Sequence, residues 1–251
     1  MHLPDPVFPP LLTGHAIKAP RRPIEHACLE AQHGTLGAGD LVWSRDTGRA
    51  ECAFVLEPEV TLATALQMSA LAQVALADSL GALLPPAVAV HLRWPGTILV
   101  NGAAAGEIRL AVPATVTDAV PDWMVVGMRL QLRHDRTDKE PGELPDETSL
   151  GEEGGGDLTR TDILQSFAAH FLTWLNIWQD DGFRPVHESW IARAEGDRVG
   201  AMQTEYRGAR HALHVLGLDE EGGLIVRSEK GAHQVLPLID AVIVHGREAA
   251  R

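Results

Sequence analysis

Residues 91–110 read HLRWPGTILVNGAAAGEIRL. Just before it, apolar side chains recur at Val88, Val90, Leu92 and Trp94. A period of two marks a strand with one face turned inward. Asn101-Gly102 then stands between two apolar runs. That dipeptide favours the positive backbone angles of a two-residue hairpin, so TILV and EIRLAV should pair as antiparallel strands. The next segment, DWMVVGMRLQL, continues as a strand with Gly127 inside it. A glycine in a strand interior marks a place where backbone or ligand comes close.

Working outward, GDLVWSRD and AECAFVLEP carry the residue types that strands favour. A short helix over PIEHACLEAQHG starts near Pro23 and stops at Gly34. The apolar run TLATALQMSALAQVALADSLGALL, residues 61–84, has the length of a membrane span. Gln67, Gln73 and Asp78 interrupt it, and its small residues suit a long helix packed tightly against a sheet. The segment TRTDILQSFAAHFLTWLNIWQDDG predicts a second long helix, with Thr161 as its N-cap and Gly182 as its end. RPVHESWIARA adds a shorter helix.

Between these, KEPGELPDETSLGEEGGGD (139–157) is acidic and rich in glycine and proline, which predicts a mobile surface loop. Beyond residue 195, short strands alternate with turns such as DEEGG and EKGA, as in a small antiparallel barrel or partly open sheet. The expected class is α+β, layered: a central mixed sheet on helices plus a small C-terminal β domain. The expected divisions are a proline-rich leader (1–22), a main domain (23–194) and the C-terminal domain (195–251).

The chain has 251 residues, 45% of them apolar, and a formal charge of −13. That acidity argues against nucleic-acid binding and against docking on anionic lipid, both of which need basic surface. The two cysteines, Cys28 and Cys52, form no CxxC pair. With no secretory leader in the first residues, they imply reduced thiols and a cytoplasmic location. The twelve histidines are scattered. His211 and His214, three apart on an expected strand, face opposite sides and cannot grip one ion together. No GxSxG, P-loop, GxGxxG after a strand, or HExxH occurs. The sequence therefore requires no metal and no cofactor.

The order of segments resembles the biotin protein ligase family, within the wider group of biotin and lipoate ligases. The resemblance spans roughly residues 20–245 and is carried by ACLEAQHGTLGAGDLVWSRDTGR, RWPGTILVNG, VVGMRLQL, ETSLGEEGG, GFRPVHESWIARA and LGLDEEGGLIVRSEKG. It implies a biotin/lipoate ligase-like main domain and an SH3-like C-terminal domain. It also implies biotin and ATP with magnesium as ligands, and a carrier protein as acceptor. In that chemistry a biotin carboxylate attacks the α-phosphate of ATP, and the acyl-adenylate then passes to a lysine of the carrier. Two anions must meet, so cations are needed and water must be kept out.

Carried over residue by residue, the resemblance assigns ligand contacts to Arg45, Asp46, Thr47, Gly48 and Arg49, where the family has a long glycine- and arginine-rich loop. It does the same for Arg93, Trp94, Gly96, Thr97, Gly106, Gly127 and Arg129. The chain departs from the family at most of these places. Arg93 stands for a lysine, Gly96-Thr97 for Asn-Asp, and Ala104 for the catalytic lysine. Gly106-Glu107 falls where Ala-Gly is expected, and Arg129 and Gln131 replace a glycine and an asparagine. No catalytic residue is therefore assigned. Replacement cations would have to come from Arg21, Arg22, Arg45, Arg49, Arg93 and Arg129. Losing one preorganised contact costs about 100- to 1000-fold in rate.

Three functions stay open. The first is a ligase-like protein with a remodelled site that binds a small carboxylate or adenylate-type ligand, or a protein. The second is an active ATP-dependent biotin or lipoyl ligase. The third is an interaction protein with a filled pocket.

Overall fold

The computed structural model describes residues 3–134, 146–196, 201–227 and 233–245. The main sheet and its helices are built from β1 (Thr13–Ile17), α1 (Pro23–Gln32), β2 (Asp40–Ser44), β3 (Arg49–Leu56), α2 (Leu62–Ala65) and α3 (Met68–Leu83). They continue with β4 (Val90–Arg93), β5 (Thr97–Val100), β6 (Ala103–Pro113), β7 (Met124–Gln131), α4 (Arg160–Asp181) and α5 (Arg184–Ile191). The C-terminal part holds β8 (Met202–Tyr206), β9 (Ala209–Leu218), β10 (Leu224–Arg227), β11 (His233–Leu236) and β12 (Ile243–His245).

The large sheet runs β1-β2-β3-β7-β6-β5-β4, with β12 alongside β6. β1 lies parallel to β2, and β12 parallel to β6, while the central pairs are antiparallel. It is therefore a mixed sheet. On one face α1 seals Val42, Ala53, Val55 and Val125 with Ala27, Cys28 and Ala31. On the other, Phe54, Val126 and Leu130 share a larger core with the apolar side chains of α3, α4 and α5. A four-stranded antiparallel sheet, β11-β10-β9-β8, forms the small C-terminal domain. Its Met202, Leu224 and Leu236 join the same large core.

Asn101 and Gly102 take φ of 50° and 92°, so β5 and β6 are joined by the tight turn that the dipeptide predicts. Several elements differ from expectation. The leader contains β1, and Thr161 Oγ1 donates to the Pro4 carbonyl at 2.8 Å, which ties the leader to α4. The apolar run 61–84 is two helices, because the chain tightens at Leu66-Gln67 into bonds that skip three residues rather than four. The N-cap of α4 is Thr159, not Thr161, since Thr159 and Asp162 form a reciprocal capping box.

The acidic segment is ordered where it is described. Leu150 is fully buried, its N–H donates to the Gln131 carbonyl, and Thr148 and Ser149 are buried beside it. One anchored leucine outweighs the polar composition around it. Residues 139–145 of that predicted loop lie outside the described residues.

The Trp94-Pro95-Gly96 turn between β4 and β5 is held from α3. Gln73, 1% exposed, donates to the carbonyls of Arg93 (3.1 Å) and Thr97 (3.2 Å) and accepts from Trp190 Nε1 (2.9 Å). Ser69 Oγ donates to the Pro95 carbonyl at 2.8 Å. The Trp94 indole donates to the Gly222 carbonyl, and Thr204 Oγ1 donates to the Trp94 carbonyl. Gly96 is required by backbone contact, because a Cβ there would lie 2.0 Å from the Ile108 carbonyl oxygen. Each polar group orphaned in a dry interior costs about 1–3 kcal/mol. Gln73→Leu should therefore lower stability by roughly 3 kcal/mol in urea denaturation, and a loss below about 1 kcal/mol would contradict this role for Gln73.

Candidate functional site

Paired residues on neighbouring strands point to the same face, so the register places a polar row across five strands: Arg93, Thr97, Glu107, Arg129 and Glu51. The next row, Arg109, Gly127 and Ala53, lies toward α1. Between these rows and the start of α1 is a cleft bordered by Arg22, Ile24, Glu51, Glu107, Arg109 and Arg129. The cavity volume there is about 20 Å³, room for about one water. It is narrow because Ile24 rests on Gly127: a Cβ at residue 127 would lie 2.7 Å from Ile24 Cδ1. Beside Gly96 and Thr97 lies a second, wider cavity of about 270 Å³. Glu107 and Arg109 border both, and Leu238 and Val242 close the wider one.

Carboxylates occupy most of the arginines. Arg129 pairs with Glu51 at 3.2 Å, and Arg109 with Glu107 at 2.9 Å. Glu51 is 7% exposed, while the Arg129 side chain is 38% exposed, so solvent and salt screen the pair only in part. Arg22 borders the cleft immediately before α1 and has no carboxylate partner among the described residues. The N-terminal peptide N–H groups of α1 and this guanidinium suit an anion.

The expected ligand contacts separate into groups. Gly127 and Arg129 line the narrow cleft, and Gly96 and Thr97 the wider cavity beside it. Gly106 instead lets β6 approach β7, since a Cβ there would meet the Arg129 carbonyl oxygen at 2.5 Å. Arg93 is forked onto Glu195 with both bonds at 2.6 Å, and Trp94 is buried against the small sheet. Arg45 pairs with Asp5 at 2.6 Å and lies over Trp43.

Asp46 closes the short loop after β2 by accepting from the Gly48 N–H at 2.8 Å and from Arg49 at 3.0 Å, with Thr47 exposed at its tip. Burial alone would raise the Asp46 carboxyl, but these bonds outweigh it and hold the group below the usual carboxylate range. β2 and β4 are five strand spacings apart, on the order of 24 Å. Arg45 and Arg93 therefore cannot converge on one ligand. At the hairpin, Ala104 is bonded to the acidic segment: its N–H donates to the Asp146 carbonyl, and its carbonyl accepts from Thr148.

The biotin/lipoate A/B protein ligase family model matches residues 8–192. The chain belongs to this family. A curated biotin--[acetyl-CoA-carboxylase] ligase of Paracoccus denitrificans is 29% identical over 196 residues, covering 78% of this chain and 80% of that protein. Among solved structures, a biotin protein ligase-like protein of unknown function from Silicibacter sp. TM1040 is 37% identical. Its TM-score is 0.82, over 94% of this chain and 99% of that one. Biotin protein ligase from Aquifex aeolicus is 16% identical and shares the fold, with a TM-score of 0.69 over 92% of this chain and 96% of that one. A form of the Aquifex protein in complex with biotin and ATP gives a TM-score of 0.65 at 16% identity, over 88% of this chain and 95% of that one. The mixed sheet packed on helices is thus the biotin ligase catalytic fold.

Ile24, Glu51 and Arg109 carry no family motif. The local sign of them was a single carboxylate, Glu51, within the otherwise apolar strand AECAFVL. The contact of Ile24 with Gly127 can be measured directly. Gly127→Ala should cost about 1–2 kcal/mol, and less than half of that in an Ile24→Ala background. Equal costs in the two backgrounds would contradict the contact.

Proposed function

We propose that this ligase-family protein binds a small carboxylate or nucleotide-type anion in the cleft and does not carry out ordinary biotin ligation. The observation that carries this proposal is the internal pairing of Arg129 with Glu51 and Arg109 with Glu107, which leaves Arg22 as the cation for a ligand. Ala104, at the position of the family lysine, offers only a methyl group. Gly96 and Thr97 supply no carboxylate, and among the described residues no group of three or more His, Cys, Asp or Glu stands together to hold a metal. Magnesium, if it takes part, would arrive on the phosphates of its nucleotide. Biotin and ATP, bound together by the Aquifex protein, are the first ligands to try.

A second function, active biotin ligation onto a carrier protein, draws support from the Paracoccus relative, whose name is biotin--[acetyl-CoA-carboxylase] ligase. The filled-pocket alternative draws on Ile24, which any ligand over Gly127 would have to displace. A cytoplasmic location belongs to the same proposal. Both cysteines are free and buried, and burial pushes the Cys28 thiol up to about 12.

Calorimetric titration with biotin, lipoate and ATP tests the binding function. At least one of them should bind saturably, and Arg22→Ala should weaken it about tenfold or more. Arg93→Ala should leave the affinity unchanged, because Arg93 is committed to Glu195. Binding that depends on Arg93 and not on Arg22 would contradict the proposal. Protection from melting by a protein partner, with no response to any anion, would favour the filled pocket.

A further inference from the structure

On the opposite face of the sheet, at the far end of β3 from the cleft, lies a cavity of about 660 Å³. Its size is that of a small-molecule site, typically about 300–1,000 Å³. Phe54, Phe171, Ala65 and Met68 form the floor, with Phe54 and Phe171 stacked at 4.3 Å. Leu175 and Trp178 of α4 form one wall. The Trp178 ring is fixed, because its Nε1 donates to Gln67 Oε1 at 2.5 Å.

The charged groups of this cavity have one sign, and Gln179 is its neutral polar group. Glu57 and Glu59 stand exposed at its mouth, and neither has an ion-pair partner among the described residues. No lysine, arginine or histidine is among the residues that line it. This is the reverse of the cleft under Arg22, where three arginines stand with two carboxylates. An occupant therefore has to bring the positive charge together with an apolar body. The rings of Phe54, Phe171 and Trp178 line the same cavity, and an aromatic face attracts a cation.

We propose that this cavity binds a small amphipathic amine, with its apolar body on Phe54 and Phe171 and its ammonium group at Glu57 and Glu59. The site is separate from the cleft under Arg22, so it stands or falls independently of the function proposed there.

The test is calorimetric titration of the full chain with 4-phenylbutylamine and 4-phenylbutyrate, which share a body and differ in the charge of the head. The amine should bind saturably at one site, and the carboxylate at least tenfold more weakly. Glu57→Gln with Glu59→Gln, both on the surface, should weaken the amine at least tenfold. Leu175→Trp, which fills the cavity, should abolish binding while the circular dichroism spectrum stays native. If Leu175→Trp does not fold, the glutamate pair still decides. Absence of amine binding, equal binding of amine and carboxylate, or an unaltered affinity in the glutamate variant would overturn the proposal. A concentration-dependent dimer that Leu175→Trp breaks would assign the cavity to a second copy of the chain and would equally overturn it.

Discussion

The amide of Gln73 is the joint on which the rest of the fold turns. Its nitrogen spends both protons on the carbonyls that flank the Trp94-Pro95-Gly96 turn, and its oxygen accepts the Trp190 indole proton. One buried side chain thus binds α3 to the β4–β5 hairpin and to α5. Of the other polar residues of α3, Ser69 and Asp78 act alike, while the buried Ser79 hydroxyl has no partner among the described residues. Ser69 holds Pro95, while Asp78 accepts from Trp174 and pairs with Arg193 at 2.7 Å. Gln73, Ser69 and Asp78 are what separate the run 61–84 from a membrane helix: each is satisfied by a protein partner that lipid would not provide.

Much of this could be read from the sequence because it rests on local rules. The alternation through Trp94, the Asn101-Gly102 turn and the apolar periodicity of α4 depend on neighbours a few residues away. What escaped depends on distant partners. β1 exists because it pairs with β2, and β12 because Ile243–His245 find the free edge of β6 beyond β5. Leu150 orders an acidic segment through a bond to Gln131. The N-cap is Thr159 because its side chain and that of Asp162 cap each other's backbone N–H, while Thr161 is engaged with the leader at Pro4.

The site shows the same division. The sequence named Gly127, Arg129, Gly96 and Thr97 as candidates; the first two line the narrow cleft and the last two the cavity beside it. It could not show which arginines were already taken. Arg93 lies beside Glu195 only after α5 returns to the edge of β4, and Arg45 meets Asp5 only when the leader folds over β2. Charge composition does not reveal such pairing, and a cation with a close carboxylate offers much less to an incoming anion.

The central claim is that the chain keeps the ligase frame while two of the three arginines that border its cleft, Arg109 and Arg129, are paired with the chain's own carboxylates. The most direct measurement is release of pyrophosphate from ATP with magnesium in the presence and absence of biotin, the first half of ligation. The structure predicts no biotin-dependent release above the rate without biotin. Biotin-dependent release, abolished by Arg22→Ala or Arg129→Ala, would contradict it.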